Sequence, residues 1–142
     1  TFSMMYFYSE KFLMPLSHDE VVHGKATIIN KMWGLHGDKL AQVKALYVYM
    51  MLHPGKKLNF MGNELAEYKE WDESKSLGWD ILKYPDHDAF HRFTQKLNEI
   101  YLKYPALYQM DYDLNGLWLT TMINAFLLLK EKIKMEMQSL LS

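Results

Sequence analysis

Three consecutive side chains able to move protons or stabilise charge, His18, Asp19 and Glu20, follow a short apolar run, Phe12-Leu13-Met14-Pro15-Leu16. A second polar pair, Asn63 and Glu64, follows a second run, Lys57-Leu58-Asn59-Phe60-Met61, after Gly62. A carboxylate held at a strand tip can act as general acid, as nucleophile or as electrostatic stabiliser. A loop carboxylate can equally cap a helix or pair with a cation, so one such residue does not separate chemistry from architecture. Two runs ending the same way favour chemistry. Glu20 and His23 also stand at Glu-x-x-His spacing, which resembles half of a di-iron carboxylate site. A second copy is missing and the string follows a strand rather than lying in a long helix, so no metal is expected.

The groups are positioned by alternating strand and helix segments. The run at residues 12–16 reads as a buried strand, although Pro15 has no N–H for a central ladder. Gly24, Gly34 and Gly37 mark a long loop from Val21 to Gly37. Asp38 is the expected cap of a helix reaching about His53, with Leu40, Val43, Tyr47 and Met50 at helical spacing and Pro54-Gly55 as its stop. After the second strand comes a charged loop through Asp80 that carries Trp71 and Trp79. Asp86 or Asp88 is then expected to cap a helix whose Phe90, Phe93, Leu97 and Tyr101 form one stripe before Pro105. This order argues for a parallel sheet with helices packed outside it. A closed barrel of eight strands takes roughly 250 residues, so the chain holds about a quarter of one. In such barrels the active site lies at the carboxyl ends of the strands, where both polar clusters fall.

Composition narrows the classes. A net charge of −1 gives no electrostatic case for nucleic acid or an anionic membrane. Cysteine is absent, which removes disulfides and thiolate metal sites and suits a reducing compartment. The longest apolar run, Ala125 to Leu129, is too short to span a bilayer, and Thr1-Phe2-Ser3-Met4 carries no basic leader. A cytoplasmic protein whose natural start lies upstream of Thr1 is expected. Aromatic residues make up 15% of the chain, enough to fill a core and still line a carbohydrate surface.

The string Leu16-Ser17-His18-Asp19-Glu20-Val21-Val22-His23-Gly24-Lys25 closely resembles a signature of the glycogen and starch branching enzymes, transglycosylases of the α-amylase superfamily. Further matches follow in order: His53-Pro54-Gly55-Lys56-Lys57-Leu58, Phe60-Met61-Gly62-Asn63-Glu64, Glu70-Trp71, Leu77-Gly78-Trp79, Leu97-Asn98 through Tyr101, and Pro105-Ala106-Leu107. The resemblance implies an α/β fold, a partial (β/α)8 TIM barrel made of its last two β/α units. Residues 1–110 would be the barrel portion and residues 111–142 a divergent tail where a C-terminal β-domain would begin. Asp19 matches the carboxylate that supports the transition state, and His18 would donate a hydrogen bond to the same sugar. Glu20, His23 and Lys25 would shape the site. Glu64 and Trp71 would contact glucan, with packing an equal alternative for Trp71. The implied nucleophile and acid/base belong to other strands, so the chain alone is expected to be inactive. The implied substrate is an α-1,4-glucan, the implied partner is the rest of the barrel, and no cofactor is needed.

Some positions depart from that pattern. Trp33-Gly34 stands in place of Pro-Gly, and Leu65-Ala66-Glu67 in place of Phe-Gly-Gln or Phe-Ala-Gln. In the tail, Phe126, Leu129, Ile133 and Leu140 suit a helix while Ile133, Met135 and Met137 alternate like a strand, and a truncation or frame change is the expected origin. The readings in competition are a hydrolytic relative such as a maltooligosyl-trehalose hydrolase, and a binding fragment without chemistry.

Overall fold

The protein is described from a computed structural model covering residues 13–108 apart from 23 and 54. Two short strands, β1 (Leu13–Leu16) and β2 (Lys56–Asn59), pair in parallel, Leu13 opposite Lys56 and Leu16 opposite Asn59. Helix α1 (His36–Leu52) connects them and helix α2 (Pro85–Lys103) follows β2 after a long loop. Parallel neighbours need a crossover of a dozen residues or more, and α1 with its flanking loops provides it. One further ladder bond, Phe60 N–H to the Leu16 carbonyl at 2.8 Å, carries the pairing one residue past β2. The result is a mixed α/β unit with an open two-stranded sheet.

Both helices bury the stripes expected of them. Leu40, Val43, Tyr47 and Met50 of α1 are buried, as are Phe90 and Leu97 of α2, with Phe93 and Tyr101 packed against them. The helix starts differ from expectation. Asp38 is not the cap of α1: the helix begins at His36, and the Asp38 carboxylate reaches back to accept the Leu35 N–H at 3.1 Å. Neither Asp86 nor Asp88 caps α2. Tyr84 does, because Pro85 occupies the first helical position, where its fixed φ suits the turn and its missing N–H is not needed. Both aspartates lie in the first turn instead, favourably placed against the helix dipole.

The strand expected to be buried is not. Leu13 is 47% exposed and Leu58 40%, because a sheet of two strands has one face that no described element covers. The core lies on the other side, where the helices meet the loops. Val21, Val22, Ile28 and Ile29 enter it from the loop after β1, and Leu65 and Ala66 from the loop after β2. At the end of α1 the Lys57 ammonium bonds the His53 and Gly55 carbonyls and lies 5.8 Å from the centre of the Tyr101 ring, tying the α1–β2 turn to α2. Among the described residues no helix is long and apolar enough to cross a membrane. Phe12, the Pro54 stop and the expected tail, with its helix through Phe126, Leu129, Ile133 and Leu140, lie outside the described residues.

Candidate functional site

At the carboxyl end of β1 the chain turns at once into one turn of 3-10 helix, His18–Glu20. His18 Nε2 lies 3.4 Å from Asp19 Oδ1, and the side chains are 58% and 66% exposed. A pair so exposed adds little stability, which leaves both groups open to an incoming ligand. Glu20 is tied differently. Lys31 reaches its carboxylate at 3.0 Å and also bonds its backbone carbonyl, closing the first part of the long loop on itself. Lys25 is exposed. His23 lies outside the described residues, and with it the Glu20/His23 pair considered for metal. Among the described residues no three His, Asp or Glu side chains converge to hold an ion.

The polar cluster after β2 is built on Gly62, whose φ of 91° starts a second turn of 3-10 helix, Asn63–Leu65. Asn63 is buried and its amide donates to the Leu16 carbonyl at 3.4 Å, so the two strand ends share a hydrogen bond. Glu64 faces another neighbourhood. Its charge, after burial, helps push the Tyr47 phenol above its usual range, and the bond from the Tyr47 hydroxyl to Asn59 at 2.9 Å opposes this in part. Glu64 is therefore near enough for its charge to act on the Tyr47 phenol.

Trp71 is half-buried and meets Phe60 edge to face, with ring centres 5.1 Å apart, while Phe60 in turn lies 6.0 Å from the His18 ring. Its backbone N–H donates to Val21 at 3.2 Å. Of the two roles that sequence left open for this residue, packing is seen, and Trp71 also borders a cavity of about 680 Å³. That cavity is floored by Val21, Ile29 and Leu65 and rimmed by Glu67, Asp72 and Tyr84. His18, Asp19, Glu20, Lys25 and Glu64 do not line it.

Sequence reasoning gave Glu70 no role of its own. Its two carboxylate oxygens accept the N–H groups of Gly24 at 2.9 Å and Ala26 at 2.7 Å, latching the loop after β1 onto the loop after β2. Ala26 takes a φ of 64°, a left-handed conformation costly for any residue with a Cβ. Nothing in a polar loop marks one glutamate as a clamp, since the signal lies in backbone amides more than forty residues away. A second group was also missed: His36 bonds the Tyr68 hydroxyl at 2.7 Å and pairs with Asp86 at 3.2 Å, joining the starts of both helices. Burial raises the Tyr68 phenol above its ordinary value.

No family model matches the chain. Curated relatives do. The chain is 50% identical over 116 residues to a 1,4-alpha-glucan branching enzyme of Oceanobacillus iheyensis, and equally to one of Aquifex aeolicus, covering 82% of this chain. A third, from Novosphingobium aromaticivorans, is 48% identical over 120 residues, or 84% of this chain. The matched segment spans 17–18% of the length of these relatives. By sequence, the matched four-fifths of this chain belong to the 1,4-alpha-glucan branching enzyme family, as a small segment of its members' length.

Proposed function

We propose that this chain is a segment of the catalytic domain of a cytoplasmic 1,4-α-glucan branching enzyme, with Asp19 as the carboxylate that supports the transition state. Residues 1–110 would be the last two β/α units of a (β/α)8 barrel, residues 111–142 a divergent tail, and the remaining strands the partner that completes the site. The observation that carries this is 50% identity over 116 residues to enzymes named for that activity, together with His18-Asp19 at the carboxyl end of β1.

In the intact enzyme an α-1,4 bond breaks as a carboxylate on another strand attacks the anomeric carbon. A second carboxylate, about 5–5.5 Å from the first, gives its proton to the leaving 4-oxygen. A 6-hydroxyl then attacks the covalent intermediate and returns its proton to that second group, closing an α-1,6 bond. Asp19 would hold hydroxyls of the distorted ring, an interaction worth most as positive charge develops. His18 would donate to the same sugar. Glu20, fixed by Lys31, would with His23 and Lys25 shape the pocket, and Glu64 and Trp71 would meet the glucan chain. With those two carboxylates on other strands, the isolated chain would be inactive.

The test exchanges the matching segment of the Oceanobacillus enzyme for this one and follows branching by the loss of iodine colour from amylose. The chimera should branch, and Asp19→Asn within it should lower the rate roughly 10²- to 10³-fold. A folded chimera without activity, or an Asp19→Asn variant of undiminished rate, would refute the assignment.

A further inference from the structure

The side chain of Trp33 is 87% exposed, more than any other large apolar residue described, yet its backbone is held at both polar atoms. The Gln42 carboxamide accepts the Trp33 N–H at 3.3 Å and donates to its carbonyl at 2.6 Å. The next residue, Gly34, takes a φ of 93°, and a Cβ there would stand 2.8 Å from the Asp38 carboxylate, so the turn that presents the indole tolerates little change. An indole left in water on a fixed backbone loses little conformational freedom when it binds a flat apolar partner.

Its place in the fold selects the partner. Helix α1 returns the chain to the start of β2, so it runs against the strands and its first turn lies toward their carboxyl ends, the end that carries Asp19. Lys31 is bonded to Glu20, the neighbour of Asp19, and Trp33 is two residues further on, a reach of at most about 7 Å. A polymer leaving the Asp19 site in that direction would come within reach of the indole. From this geometry, and resting on the function proposed above, we infer that Trp33 is an outer stacking platform for an α-1,4-glucan strand, taking the C–H face of a glucose ring. Trp33 is also one of the positions at which the chain departs from the branching-enzyme pattern, so the platform is a property of this chain.

Oxidation of tryptophans by N-bromosuccinimide, followed peptide by peptide in a mass spectrometer, tests this on the full chain without a variant. Saturating maltoheptaose should slow oxidation of Trp33, and cellohexaose at the same concentration should not. In amylose-containing native gels Trp33→Ala should weaken retention ~2- to 10-fold, and Trp33→Tyr should restore most of it. Unchanged oxidation of Trp33 with Trp71 protected would overturn the platform and leave the proposed function standing. Protection of neither would count against both. Protection on raising the protein concentration alone would assign Trp33 and the exposed Leu35 to a contact between copies and overturn the inference.

Discussion

Replacing Tyr47 by Phe should make the protein weaker at neutral pH and stronger in alkali. The residue is 1% exposed, its ring meets Phe90 edge to face at 5.5 Å, and its hydroxyl donates to Asn59. Phe keeps the ring contact and removes the bond. Asn59 is exposed, so water takes over its acceptor and the loss stays near the ordinary net value of about 0.5–1.5 kcal/mol. In the fold, burial and then the Glu64 charge hold the phenol protonated above its ordinary value. The unfolded chain releases that proton at about pH 10, so the contribution is whole below that pH and is lost as pH rises beyond it. The loss is about 1.4 kcal/mol per pH unit, so wild type and Tyr47→Phe should cross in stability between about pH 10 and pH 11. Urea unfolding followed by circular dichroism at pH 7, 10 and 11 measures both curves, and the other tyrosines cancel in the difference. A gap that stays constant with pH would refute the reasoning.

Three further outcomes follow from the loops. Glu70→Gln keeps only one acceptor for two N–H groups and should lose about 1.5–3 kcal/mol of local stability, so that the Gly24 and Ala26 amides exchange hydrogen roughly 10- to 100-fold faster while the interior of α1 does not change. Ala26→Gly should stabilise by about 0.5–1 kcal/mol in urea unfolding, the relief of a left-handed alanine less the entropy of glycine. The same change at Ala66, also left-handed but buried, should be close to neutral because it forfeits about 0.8 kcal/mol of methyl burial.

The helices were legible because their signal is local: the Leu40, Val43, Tyr47, Met50 spacing alone orients α1, and the structure buries all four. The cap residues were less so, since Asp38 and Asp86 look alike in sequence and only Pro85 against Gly34 decides where each helix starts. Strand burial was misread because apolar composition reports what a segment prefers to touch, and the open face of β1 and β2 has no described neighbour. His18 and Asp19 were placed at a strand end correctly, as a pattern of adjacent residues can do. The Glu64 charge acts on Tyr47, and Glu70 proved to be the clamp, both across residues far apart in the chain.

The Glu70 clamp also bears on mutational tolerance. It grips main-chain amides, so the tie between the two loops does not depend on which side chains positions 24 and 26 carry. Proline alone removes a donor outright, and the left-handed φ values of 78° and 64° further favour Gly, Asn or Asp. Lys25, exposed between the two gripped residues, has no left-handed φ, and since its N–H donates to the Val22 carbonyl at 3.3 Å, proline alone is barred there. A library randomised at that single position would vary the chemistry displayed beside the site while leaving its frame anchored, which makes residue 25 a natural starting point for redesign of what the loop recognises.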